Sequence, residues 1–350
     1  MTDGKKLYPK NMTRDELKGF FSDAGEKPFR GAQLFRGMYA RGLSSFDEMT
    51  DLPAALRRRL AETAALFTLA PREVLISRRD GSRKYLFETV DGHLVESVFM
   101  RYDYGNVVCV SSQAGCRMGC AFCASGFGGL RRGLRSGEMA DQLLRARLDT
   151  GEDIGRIVVM GVGEPLDNFD ELKRFIETVG DAEGLGIGRR NITVSTCGLP
   201  PGIERMAAEL PQVGLSISLH APNDRLRDTL LPVNKRYALA ALLKAVRGHI
   251  ARTGRRATFE YALIAGMNDG AECAAELARL LRGMNCHVNL IPLNRVEETG
   301  FCGSGRAETE RFRAALAAAG LRVTVRRSLG ADIRAACGQL RAKTPSKIGG

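Results

Sequence analysis

From Val107 onward, short apolar runs alternate with longer segments of helical period, and this constrains the fold more than any other feature of the sequence. The strand-like runs cover 107–111, 156–160, 192–195, 215–219, 258–263 and 287–291. Helix-period segments lie between or after them at 138–148, 170–179, 239–251, 271–283 and 308–319, with a shorter one at 202–210. Continuous apolar strands separated by helices are the pattern of parallel β/α units whose faces are covered. The expected class is α/β, as a partial (β/α)6 barrel of the TIM-like kind. Periodicity alone also admits an open doubly wound sheet. Cys116, Gly163 and Glu164, Ser195 and Thr196, His220 and Asn294 all fall just past expected strands. Barrels carry their active sites at that edge, so one cleft is expected there.

Upstream the pattern differs. Thr13 and Glu16 have capping-box spacing, and Leu17, Phe20 and Phe21 then share a helical face. A second amphipathic run covers 29–39, and Pro53 suits the first position of a third helix. Runs at 84–90 and 93–100, punctuated by Asp80-Gly81 and Asp91-Gly92, read as a small antiparallel sheet leading into the main domain. The expected organisation is a helical accessory domain at 1–70, a β extension at 71–101 and a core at 102–350 with a C-terminal segment.

The hydrophobic share of 44% is enough for a large core. The first ten residues are polar and basic, and no long apolar stretch follows. Neither a secretory signal nor a membrane span is expected, which leaves the cytoplasm. The nine cysteines are therefore read as thiols or ligands rather than structural disulfides. A net charge of +12 fits a polyanionic partner such as nucleic acid, or a generally Arg-rich background.

Residues 115–123, GCRMGCAFC, place Cys116, Cys120 and Cys123 on one loop as C-x3-C-x2-C. Three thiolates so close can wrap one metal centre. A structural zinc normally closes four ligands, and no second cysteine pair follows. Residue types therefore favour an iron–sulfur cluster with one open iron, with zinc as the alternative.

The C-x3-C-x-F-C pattern resembles the signature of the radical S-adenosylmethionine (SAM) superfamily, and residues 160–165, MGVGEP, resemble its SAM-binding stretch. The match narrows through 105–115 (GNVVCVSSQAG), 218–224 (SLHAPND), 289–294 (NLIPLN) and 332–340 (DIRAACGQL). Together these are similar to the RlmN/Cfr group of radical SAM RNA methyltransferases, over nearly the whole chain. The resemblance implies one [4Fe–4S] cluster on Cys116, Cys120 and Cys123, with SAM bound to its open iron and reductively cleaved to a 5′-deoxyadenosyl radical. Gly163, Glu164, Ser195, Ser218, Leu219, His220 and Asn294 are implied as SAM contacts.

In that group two further cysteines decide the outcome. Cys337 is implied to be methylated by a first SAM and to lose a hydrogen atom to the radical formed from a second. Its methylene then bonds to adenine, leaving RNA attached to the protein. Glu96 is implied as proton acceptor and Cys109 as the thiol that attacks Cys337, releasing RNA and forming a disulfide. Read on their own, Cys109 is a buried inert thiol of an apolar strand and Glu96 an exposed strand carboxylate. Cys337 stands beside Gly338, in a segment expected to be mobile. Cys197, Cys273, Cys286 and Cys302 match nothing and are read as structural. Arg131, Arg132 and Arg135 are candidate phosphate contacts, or simply a solvated face.

The implied activity is methylation of adenine C2 in 23S rRNA and tRNA by a cytoplasmic, monomeric enzyme fed by a flavodoxin- or ferredoxin-like electron donor. Two readings compete with it. One is a Cfr-like C8 specificity, which residues 124–130 (ASGFGGL) and the N-terminal module weigh against. The other is a non-catalytic iron–sulfur or zinc RNA-binding protein, which would have no use for Glu164, Cys109 or Cys337. A radical SAM enzyme acting on peptides would leave the basic charge without a role.

Overall fold

The computed structural model describes residues 6–340. Three helices open the chain: α1 (Arg14–Asp23), α2 (Phe29–Met38) and α3 (Ala54–Thr63). The expected capping box starts α1, with the Thr13 hydroxyl accepting from the Glu16 N–H and the Glu16 carboxylate accepting from the Thr13 N–H. Pro53 sits one place earlier than expected, at the N-cap of α3. Leu17, Phe21, Leu34, Phe35, Leu56 and Leu60 join the same buried apolar cluster as the core of the main sheet.

Strands β1 (Leu69–Ile76), β2 (Arg83–Thr89) and β3 (Leu94–Tyr102) pair antiparallel. They are not a separate small sheet. β3 also pairs antiparallel with β4 (Gly105–Cys109), the first strand of the parallel series, so the two regions share one ten-stranded sheet. After β4 a short hairpin, β5 (Gln113–Gly115) with β6 (Leu130–Gly133), brackets the cysteine loop.

The chain then runs α4 (Ser136–Thr150), β7 (Arg156–Val159), α5 (Phe169–Gly180), β8 (Ile192–Thr196), α6 (Pro200–Glu209) and β9 (Gly214–Ser218). It continues through α7 (Asp224–Leu230), α8 (Leu239–Thr253), β10 (Ala257–Leu263), α9 (Ala271–Leu280), β11 (Cys286–Pro292), α10 (Arg306–Ala318) and β12 (Val323–Val325). Within the large sheet every pairing from β4 onward is parallel, in the order β4-β7-β8-β9-β10-β11-β12.

That order decides between the two architectures left open by periodicity. A doubly wound sheet reverses direction partway along. Here each crossover steps to the next strand on the same side, so right-handed connections gather the helices on one face. The opposite face is left to line a cleft. β12 does not pair with β4 among the described residues, so the sheet is an open, partial (β/α)6 barrel rather than a closed one. Among the described residues no helix is long and apolar enough to cross a membrane.

Candidate active site

The cysteine loop is held by its surroundings. The Ala121 N–H donates to Leu230 O at 2.9 Å, tying the loop to α7. The Ala124 N–H donates to Gly338 O at 2.9 Å, tying it to the C-terminal segment. Phe122 is buried with its ring edge-on to His220, centroids 4.9 Å apart. The three thiols line a cavity of about 930 Å³ with Gly163, Glu164, Ser195, Ser218, His220, Asn294 and Cys337. The expected convergence at the carboxyl ends of the strands is thus present.

The donor set fits a thiolate-bound cluster. Burial pushes the Cys116 thiol up to about 11 and also raises Cys120 and Cys123, outweighing the few donors and the one cation near their sulfurs. Bound iron would supply that positive charge and deprotonate all three. Among the described residues no three His, Cys, Asp or Glu side chains are grouped tightly enough to hold a single metal ion. The triad lines a cavity instead of closing on a point.

Glu164 is buried, and desolvation raises its pKa. Its oxygens accept from the Leu166 N–H at 3.1 Å and the Cys197 N–H at 2.7 Å, which joins the ends of β7 and β8. The Glu164 N–H donates to the Gln113 side-chain oxygen at 2.9 Å. Gly163 makes this approach possible. Its φ is +108°, and a Cβ there would stand 2.6 Å from the Gln113 Cβ.

His220 also has a positive φ, +57°, unusual for a residue with a side chain. Its Nδ1 accepts from the Ala262 N–H at 2.9 Å, which leaves Nε2 protonated, and burial lowers its pKa to about 3. It is therefore a neutral ring held in one tautomer. The Ser195 and Ser218 hydroxyls are 3.5 Å apart. Leu219 differs from these neighbours: its side chain is buried in the core, and its N–H donates to Glu260 O at 3.0 Å.

A second cavity of about 620 Å³ adjoins the first, and Cys109, Cys123, Asn294 and Cys337 all line it. Burial pushes the Cys109 thiol up to about 12. The segment carrying Cys337 is tethered: Asn294 Nδ2 donates to Cys337 O at 3.2 Å and Ser125 Oγ to Leu340 O at 2.9 Å. Further back, Asp332 accepts from Ser77 Oγ at 2.8 Å. All nine cysteines are free thiols.

Glu96 is not the exposed carboxylate that its strand position alone implied. It is 4% exposed and ion-paired with Lys84 at 3.2 Å. Val98 faces Cys109 across the β3–β4 pair, and Glu96, two residues along, shares that face. Arg132 corrects another expectation. Its guanidinium is committed to Asp91 at 2.6 Å and Glu138 at 2.7 Å, so it is not a free phosphate contact, whereas Arg131 and Arg135 are exposed.

Sequence reasoning missed three groups. Cys197, read as structural, lines the first cavity beside Glu164. Arg326, just past β12, lines both cavities, and its nearest charge partners include Cys337 and Glu260. Glu260, on β10, accepts from Ser216 Oγ and Asn289 Nδ2, each at 2.9 Å, in the barrel interior. The alternation of Val323 and Val325 was the one available signal for β12.

Comparison with known proteins agrees with this arrangement. Residues 10–66 match the ribosomal RNA large subunit methyltransferase N-terminal domain, and residues 110–281 match the radical SAM superfamily. The chain is 50% identical over 345 residues to a probable dual-specificity RNA methyltransferase RlmN of Desulforamulus reducens, covering 99% of each. It is 52% identical over 341 residues to a protein of the same description from Pelotomaculum thermopropionicum, covering 97% of this chain and 93% of that one. The crystal structure of a radical SAM methyltransferase from Sphaerobacter thermophilus superposes with a TM-score of 0.93 at 44% identity, covering 96% of this chain and all of that one. With the cysteine loop, the strand-end cleft and both domains matched, the chain belongs to the RlmN family of radical SAM methyltransferases.

Proposed function

We propose that this protein methylates C2 of adenine in 23S rRNA and in tRNA, through a methyl group carried on Cys337 and a transient covalent bond between Cys337 and RNA. The observation that carries the reading is the shared lining of the second cavity, where Cys109 and Cys337 join Cys123 of the triad. A radical SAM enzyme that modified some other molecule would need the triad and Glu164, but not two further thiols against it. The proteins this chain resembles are described as acting on RNA.

Held by Cys116, Cys120 and Cys123, a [4Fe–4S] cluster would supply the electron that cleaves SAM, generating the radical that takes hydrogen from the methyl group on Cys337. The protein supplies the rest. Gly163, Glu164, Ser195, Ser218, His220 and Asn294 line the SAM space, and the neutral His220 ring brings no charge into it. Cys337 presents its methylene carbon to the ring, and a carbon–carbon bond forms. An adenine must leave its stack for this, since C2 has to reach the cavity wall. Glu96 accepts the ring proton, with Lys84 beside it to hold the carboxylate, and the one electron left on the ring would pass back to the oxidised cluster, so that the adduct is aromatic before it is resolved.

Cys109 then attacks the Cys337 sulfur. The S–S bond forms as the S–CH2 bond breaks, and the carbon keeps the electron pair and takes a proton to become methyl. An external flavodoxin- or ferredoxin-like donor supplies electrons, and the disulfide must be reduced before the next turnover. Two SAM molecules are used per methylation. The N-terminal helices and the exposed Arg131 and Arg135 are assigned to RNA, and the protein acts as a cytoplasmic monomer.

The test is mass spectrometry of nucleosides from rRNA and tRNA incubated anaerobically with enzyme, SAM and reductant. 2-Methyladenosine is the expected product. 8-Methyladenosine would replace C2 with C8, and no methylated adenosine would overturn the assignment.

A further inference from the structure

Arg227, on α7, is 0% exposed, and no step above uses it. Among the described residues its guanidinium donates only to neutral acceptors: Leu219 O at 3.2 Å, Asn234 Oδ1 at 2.8 Å, Cys197 O at 2.5 Å and Ser218 O at 3.3 Å. Three of these carbonyls end β8 and β9, where the SAM-lining residues begin. Asp224 and Asp228 share no hydrogen bond with the group among the described residues; Asn234 stands between, its Nδ2 donating to them at 2.9 and 2.7 Å.

The same helix supports the cysteine loop through Leu230 O, and Cys120 packs in one cluster with Leu226 and Leu230. Of the ionisable groups around Arg227, Cys197 and Cys120 attract it most strongly when ionised, ahead of Asp224 and Asp228. Of these two sulfurs, Cys120 is the one that belongs to the triad on the loop carried by α7. A buried charge without a carboxylate beside it is destabilising. Nothing in the packing of α7 calls for a cation, since a neutral donor could cap the same carbonyls.

We infer that Arg227 is a positioning residue with two effects: it fixes the carbonyl ends of β8 and β9, and it sets a permanent positive charge behind Cys120. That charge favours the reduced form of the cluster held there. This rests on the reading of Cys116, Cys120 and Cys123 as cluster ligands. Reduction adds one negative charge to a centre already ligated by three thiolates. A buried cation nearby lowers the energy of that state, and local charge is one of the terms that set such potentials.

The experiment measures iron and sulfide content, and the midpoint potential by spectroscopically monitored titration, in full-length reconstituted native, Arg227→Lys, Arg227→Met and Asp228→Asn proteins. Arg227→Met is expected to make reduction at least about tenfold less favourable, a shift of about 59 mV to more negative potential for a one-electron couple. Arg227→Lys keeps the charge and stays close to native, while losing SAM affinity because it cannot reach all the carbonyls. Asp228→Asn preserves shape and removes a counter-charge, so its potential moves the opposite way. A purely structural Arg227 would change cluster occupancy and leave the potential unmoved. An unchanged potential in cluster-loaded Arg227→Met overturns the inference. If that variant loads no cluster, Asp228→Asn decides: a positive shift upholds the inference, and no shift or a negative one overturns it. A native protein that takes up no four-iron cluster overturns the ligand reading, and this inference with it.

Discussion

Cys109 and Cys337 come from opposite ends of the core and still line one cavity, the first on a central strand and the second on the segment that closes over it. With its thiol pushed up to about 12 by burial, Cys109 is protonated at neutral pH. Its attack on Cys337 should therefore quicken with pH, by about tenfold per unit below that value, because the thiolate is the nucleophile. Single-turnover release of RNA from a preformed crosslink, followed from pH 7 to 9, measures this. Cys109→Ala should instead trap the crosslink, visible as a slow-migrating band on denaturing gels; free RNA and free protein would remove Cys109 from the reaction. Cys337→Ala should abolish methylation while leaving the iron content unchanged. Gly163→Ala is expected to cost about 1–3 kcal/mol in strain, since φ is +108° and the Gln113 side chain blocks the new methyl. Its SAM affinity, read by equilibrium dialysis, should fall by at least about tenfold, because Glu164 would be displaced with it.

At the scale of elements, the helices of the barrel are built for burial, and α8 carries a residue that does not suit it. His249 is 1% exposed, and neither ring nitrogen has a hydrogen-bond partner among the described residues. Burial lowers its pKa from 6.5 to about 4. Between those values the unfolded chain binds a proton that the folded chain does not. Its contribution is therefore intact above pH 6.5 and is lost as pH falls toward 4, at up to about 1.4 kcal/mol per pH unit. His249→Leu should raise the denaturation midpoint more at pH 5 than at pH 7.5, and an equal rise at both would contradict the burial argument. α7 and the β5–β6 hairpin show why short elements escaped the sequence. Seven residues and two strands of three and four do not establish a period, yet these pieces position the cysteine loop.

For the whole molecule, one buried ion pair stands out among the contacts that join the N-terminal region to the barrel. Lys10 is 1% exposed and donates to Asp141 of α4 at 2.6 Å. The other Asp141 oxygen accepts from the Thr68 N–H at 2.5 Å and the Thr68 hydroxyl at 2.7 Å. Lys10 and Arg145 each lie 3.6 Å from the Phe67 ring centroid. Asp141→Ala would strand the Lys10 charge, so a loss of about 3–5 kcal/mol is expected in urea denaturation. Pairing it with Lys10→Met should recover much of that loss, since removing both charges leaves none uncompensated. A double variant as unstable as the single one would show that the loss comes from the Thr68 bonds to Asp141 and not from the stranded charge.

The cysteine triad was legible because its ligands sit on one loop, where spacing alone sets what they can reach. The (β/α)6 alternation was legible because buried parallel strands and amphipathic helices write their periods directly into the chain. Capping at Thr13 and Glu16 is equally local, and it appeared where expected. What the sequence by itself determined was therefore the longer elements and the spacing of the three thiols on the triad loop. Tertiary structure decided the rest. Strand order chose the open barrel over a doubly wound sheet, and register across β3 and β4 buried Glu96 on the face of Cys109. Pairing with Asp91 and Glu138 committed the Arg132 guanidinium, and the folding back of α7 and β12 brought Arg227 and Arg326 to the site. Each of these depends on which distant segment lies alongside, and the physical reason is common to all: burial and electrostatics act through space, whereas periodicity and spacing report only what is adjacent along the chain.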